Sequence, residues 1–198
     1  MKIALMAGHS CASEGAAVCA GFYKGYGEHR LALEYLPALG AELERHRYNV
    51  VFTQRAAAGG TSPRYSAMAA NAAGADIALE WHFNAADSST GGCEVLYWGG
   101  SEHGKKFAEL LAGSLAGILK VRNRGAKPVR SAADRGYEAF RRSRMPFFMV
   151  EPCFAGSNAE EAQKFCELVR SGYFAVAAGN AVAEVLAAVY VGEQKLLG

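Results

Sequence analysis

The sequence predicts an α/β domain: a mainly parallel, twisted central sheet flanked by helices. Short apolar runs of strand length alternate with stretches of helical period along the whole chain, the pattern of strand–helix–strand units. Nothing repeats internally, and no Pro/Ser linker divides the 198 residues, a length over which one domain can bury a sizeable core. We expect the domain to occupy residues 1–192, with a tail over 193–198.

The first run, "KIALMAG", is apolar and closed by glycine, as a buried strand would be. From Ser10 to Gly27 the chain is rich in Gly, Ala, Ser and Cys without a period and reads as a loop. Glu28 to Arg47 spaces Leu33, Leu36, Leu39 and Leu43 as a helix does, with Pro37 expected to kink it. "NVVFTQ" is the second strand, "AAAGGTSP" a loop, and Arg64 to Ala73 an Ala-rich helix. "DIALEWH" is a strand, "ADSSTGG" a turn, and "CEVLYW" the next strand. Ser101 to Leu119 is amphipathic, with Phe107, Leu110, Leu111, Leu115 and Ile118 on its apolar face. "VRNRGAKPVRSAADRGYEAF" has no clean period and reads as an irregular crossing. "MPFFMVEP" is a strongly apolar strand ended by Glu151 and Pro152. Helices over Asn158 to Arg170 and Tyr173 to Tyr190 follow, and "GEQKLLG" reads as a frayed end.

Composition narrows the function. A chain 51% hydrophobic and 20% charged is globular, not disordered. A net charge of +2, with no basic run interleaved with aromatics, argues against nucleic acid, and Arg141, Arg142 and Arg144 read as a solvated rim. Five cysteines, odd in number and without a CxxC pair, fit free thiols in a reducing compartment. No apolar segment of signal-peptide length follows Lys2, and no apolar run reads as long enough to span a bilayer. The expectation is a monomer made in the cytoplasm, without stable membrane association.

Three of the expected strands end in ionisable residues: His9, His82 and Glu151. Ligands of open α/β sheets collect outside the carboxyl ends of the strands, so these three, remote in sequence, are expected at one edge. Two neutral imidazoles and a carboxylate suit zinc, which takes three protein ligands in catalytic sites and lowers the pKa of water to about 7. A third ligand is needed that leaves Glu151 free to move protons. Glu28 opens the first long helix, where a negative charge is favoured; Glu14, Glu80 and His29 compete with it. Glu80 has the parity of His82 and could instead stand behind it. Asn84 is expected to bond backbone groups of the loop after His82. Cys153 is an alternative nucleophile, although it would need an oriented base that a metal-poised water makes redundant. His29, His46 and His103 are expected to be solvated.

In order, "AGHS", "GYGEHRL", "SPRYSAMAANAAGADIALEWHFNA", "RNRGAK" and "MPFFMVEPCFAGSNAEE" resemble the zinc-dependent N-acetylmuramoyl-L-alanine amidases of the amidase 3 type. Arg64, Ala70, Asn71, Ala75 and Asp76 match the helix motif of that family, and His82, Asn84 and Ala85 the motif after it. Arg124, Gly125 and Lys127 match a third, and Pro146, Val150, Glu151, Phe154 and Asn158 the last. The resemblance runs from about residue 2 to about residue 185. It implies a phosphorylase/hydrolase-like amidase fold, zinc held by His9, Glu28 and His82, Glu151 as the catalytic carboxylate, and peptidoglycan as substrate. Asn84, Arg124 and Lys127 are the candidate substrate contacts. The chain departs from the family pattern in "SEGA" at Ser13 to Ala16, where D-P-G-A is usual, in Trp81, and in Glu80, where Ser is common. With neither leader nor wall-binding repeat, it resembles the compact endolysins of phages and prophages, which reach the wall after release. A zinc peptidase cutting within the stem peptide and a catalytically inactive wall-binding module are the rival readings.

Overall fold

The computed structural model describes residues 1–191, so the expected tail lies outside the described residues. Six strands, β1 (Lys2–Ala7), β2 (Asn49–Thr53), β3 (Ile77–Trp81), β4 (Cys93–Trp98), β5 (Asn123–Val129) and β6 (Phe147–Glu151), form one sheet in the order β2-β1-β3-β6-β4-β5. β2, β1, β3 and β6 are parallel; β4 runs antiparallel to β6, and β5 parallel to β4. The expected mainly parallel α/β fold is therefore present. β3 and β6 are buried throughout, and β1 in all but its first residue, which explains why their sequences are near-continuous apolar runs instead of alternating ones.

Successive side chains of β1 enter two cores on opposite faces of the sheet. Ile3, Leu5 and Ala7 join α1 (Glu28–Arg45), α3 (Glu102–Leu119), α5 (Ala159–Arg170) and α6 (Tyr173–Leu186). Ala4 and Met6 join the smaller core under α2 (Arg64–Ala72) and α4 (Tyr137–Arg142). α1 turns Leu31, Tyr35, Leu36, Leu39 and Leu43 inward, whereas Leu33 is 42% exposed, so its apolar stripe begins on Leu31 and not where the leucine spacing placed it. Leu110 of α3 likewise faces out. Pro37 sits on the exposed side of α1, and the helix continues beyond it to Arg45.

Two segments differ from expectation. The stretch expected to cross irregularly holds β5 and α4: β5 is an edge strand carrying Arg124, Lys127 and Pro128, residues typical of protected edges and not of strand patterns. The stretch from Tyr173 to Tyr190, α6 and most of the π-helical turn (Ala187–Val191) after it, is long and apolar enough to cross a membrane by length and composition. That overturns the expectation of no such run. Its composition has another cause here: Phe174, Ala178, Val182 and Leu186 are fully buried within the larger core.

The reversal at β4 brings two carboxylates face to face. Because β4 starts where β6 ends, Glu94 lies directly opposite Glu151 in the ladder. The connection from 82 to 92 crosses over the end of β6, pinned by the Asn84 amide to the Cys153 carbonyl (2.8 Å) and by the Gly156 amide to the Asn84 carbonyl (3.1 Å).

Candidate metal centre

β1, β3 and β6 are neighbours ending at the same level: the Gly8 amide donates to the Trp81 carbonyl and the His82 amide to the Val150 carbonyl. His9, His82 and Glu151 therefore emerge side by side at the carboxyl edge. The chain returns there through the long loop, and α1 opens on Glu28, whose Oε1 accepts from the Ala16 amide (3.0 Å) and whose Oε2 accepts from that of Phe83 (3.3 Å). Glu28 Oε2 lies 3.0 Å from His82 Nδ1 and 3.3 Å from His9 Nε2. One ligand atom from each of the three residues falls within 4.8 Å of the others.

The backbone is shaped for this approach. His9 has φ of +60°, a left-handed conformation uncommon for a residue with a Cβ. A Cβ on Gly8 would collide with the His82 ring, and one on Gly15, where φ is +83°, would come within 2.6 Å of His9 Cδ2 and 2.8 Å of Glu28 Oε1.

Burial opposes charge on Glu28, but hydrogen bonds from His82 and His9 outweigh it and hold the carboxyl well below the usual range. Burial likewise opposes a charged His82, yet hydrogen bonds to Glu28 and Glu80 outweigh it and raise the ring to about 10. Glu28 is thus ionised and accepts from both imidazoles. A divalent cation would suit the same donors: two imidazole nitrogens and one carboxylate oxygen are an open catalytic zinc set.

Glu151, buried beside this group, is pushed up to about 7 by burial, with the charges of His82 and Arg135 opposing the rise. Arg135 Nη1 is 3.4 Å from Glu151 Oε1, while Glu151 Oε2 is buried and has no hydrogen-bond partner among the described residues. Arg135 is held from behind, Nη1 donating to Asn84 Oδ1 (2.5 Å) and Nη2 to Glu94 Oε1 (3.0 Å). Glu94 also accepts from Asn84 Nδ2 and from Arg124 Nε. The side chain of Asn84 therefore bonds Glu94 and Arg135, not backbone as expected, because β4 delivers a carboxylate to its side. His9, Glu28, His82, Asn84, Arg135 and Glu151 line one cleft of about 280 Å³. Arg124 and Lys127 do not line it: Arg124 is spent on Glu94 and the Phe154 ring, and Lys127 lies on the edge strand opposite Leu96.

Over residues 3–184 the chain matches the N-acetylmuramoyl-L-alanine amidase family. The chain belongs to that family. Among solved structures sharing the amidase fold are Cwp6 from Clostridium difficile (TM-score 0.75, 20% identity, 96% of this chain and 29% of that one) and an N-acetylmuramoyl-L-alanine amidase from Clostridium difficile 630 (0.73, 21%, 98% and 97%). The catalytic domain of the CD27L endolysin targeting Clostridia Difficile gives 0.70 at 22% identity, over 94% and 96%. The chain thus spans under a third of Cwp6 and nearly all of the other two. No curated protein matches it.

Several residues of the amidase motifs serve the scaffold. Asn71 ties α2 to the segment before β6 through the Arg142 carbonyl and the Arg144 amide; Asp76 accepts from the Lys2 amide; Asn158 caps α5. The other contenders for metal lie elsewhere. Glu14 packs against Gly27, and Glu80 stands behind His82. His29, expected to be solvated, is buried, with Nδ1 2.9 Å from the Gly8 carbonyl: the first turn of α1 faces the sheet. His46 and His103 are exposed. Cys153 is fully buried, and burial pushes its thiol up, the reverse of what a nucleophile needs. Arg135 had no signal in the sequence; it stands among Arg130, Arg141, Arg142 and Arg144 in a stretch without period.

Proposed function

We propose that this chain hydrolyses the amide joining N-acetylmuramic acid to L-alanine in peptidoglycan, with zinc held by His9, Glu28 and His82. The observation that carries the reading is the convergence of three ligand atoms within 4.8 Å beside a buried carboxyl whose pKa stands near 7. Family membership supports the choice of bond. Zinc at such a set supplies Lewis acidity to a carbonyl oxygen and makes water more acidic. Glu151 does the proton work: its carboxylate takes a proton from the attacking water and returns it to the departing amide nitrogen, a double duty suited to a group titrating near neutrality. Arg135 holds Glu151 toward its ionised form, and Asn84 with Glu94 holds Arg135 in place. Of the residues expected to touch substrate we assign contact to Asn84 alone, and we add Arg135 from the cleft wall.

Mass spectrometry of digested peptidoglycan tests the reading. Intact stem peptides beginning with L-alanine are expected, lost with a chelator and restored by zinc. Glu151→Gln is expected to retain zinc and to lose at least about 100-fold in turnover. Cleavage within the stem would favour a zinc peptidase; the absence of new amino groups, an inactive wall-binding module.

A further inference from the structure

On the side of His82 facing away from Glu28, the sheet buries a second carboxylate. Glu80, two residues earlier on β3, has no exposed surface. Its two oxygens have divided tasks. Oε1 takes three donors: Arg55 Nε and Nη2, both at 2.9 Å, and the hydroxyl of Ser66. Oε2 lies 3.3 Å from His82 Nε2, and apart from each other neither of these buried atoms has a polar partner among the described residues. Arg55 is itself buried, fixed by Ser66 Oγ (2.9 Å) and the Thr61 carbonyl (3.1 Å). A carboxylate serving only as counter-ion to Arg55 would need one oxygen. The other is aimed at the imidazole, from the side opposite the nitrogen that faces Glu28.

We propose that Glu80, clamped by Arg55 and Ser66, is a positioning residue that holds the proton of His82 at Nε2 and so presents Nδ1 to the metal. The proposal rests on the zinc reading of the site. An ionised acceptor binds an imidazole N–H more strongly than a hydroxyl does, and carboxylates behind ligating histidines fix the tautomer and raise ligand basicity. Arg55 and Ser66 keep that carboxylate charged in a fully buried site. This chain supplies Glu80 with a buried arginine to match.

Two measurements on the whole chain test it. In zinc-loaded wild type labelled at histidine, long-range ¹H–¹⁵N correlation spectra are expected to show His82 protonated at Nε2 and coordinated through Nδ1. Zinc affinity, measured by competition with a chromophoric chelator, is expected to fall at least about tenfold in Glu80→Gln. Coordination through Nε2, or a Glu80→Gln protein that folds and binds zinc within twofold of wild type, overturns the proposal and leaves the zinc reading standing. Wild type that takes up no zinc overturns both. Should Glu80→Gln fail to fold, the wild-type spectrum alone decides.

Discussion

Gly8 and Gly15 leave room where the site has no space for a Cβ: one lies against the His82 ring, the other against His9 and Glu28. Gly8→Ala is expected to destabilise the protein by about 1–3 kcal/mol, as overpacking does, and to lower its zinc content; urea titration and metal analysis read the two effects separately. Arg135 acts on the neighbouring carboxyl through charge. Its guanidinium lowers Glu151 against burial, so Arg135→Gln is expected to move the acid limb of the kcat/KM profile to higher pH. The same limb unmoved would mean that Glu151 does not govern it. These residues were unequally legible. His9, His82 and Glu151 stand out because ionisable groups close apolar strands, and a sheet edge gathers such groups from distant segments. Arg135 is one arginine among several in a patternless stretch, and only the placement of Glu94 by a reversed strand gives it a role.

At the level of elements, α1 shows what periodicity conveys and what it misses. Leu39→Ala, at a fully buried position, is expected to cost about 2–5 kcal/mol, whereas Leu33→Ala should fall within about 0.5 kcal/mol of wild type. Equal losses on thermal or urea unfolding would show that both faces of the helix are buried in solution. The leucine spacing signalled a helix correctly, yet it could not choose between Leu31 and Leu33 for the inner stripe, because α1 packs on both the sheet and α6 and so has a broad apolar face. The central strands were legible from their unbroken apolar runs. β5 was not: an edge strand is paired on one side only, and charge and proline there oppose aggregation at the expense of any strand pattern.

For the whole molecule, the buried ionisable groups couple stability to pH. His82, raised from 6.5 to about 10, stabilises the metal-free fold fully below pH 6.5, and that contribution is lost as pH rises through 10. Glu151, raised from 4.5 to about 7, acts in the same direction between those values. Glu80, lowered to about 2 by His82, Arg55 and Ser66 against burial, contributes above pH 4.5 and loses its effect as pH falls through 2. The metal-free protein is therefore expected to have its highest Tm near pH 4.5, to weaken as Glu151 titrates up to about pH 7, and to weaken further toward pH 10. Zinc should lift the alkaline arm, since it competes with the proton on His82, and a thousandfold excess over Kd adds about 4 kcal/mol. Calorimetry across pH with and without the metal checks both arms. The connection over β6 has a separate consequence. It leaves the sheet after β3 and re-enters at β4, and of its residues Phe83, Asn84 and Ala85 line the cleft beside Glu151, so residues inserted directly after Ala85 would extend the cleft wall from a loop outside every strand pairing. New specificities could be grafted onto this scaffold there without rebuilding its foundations.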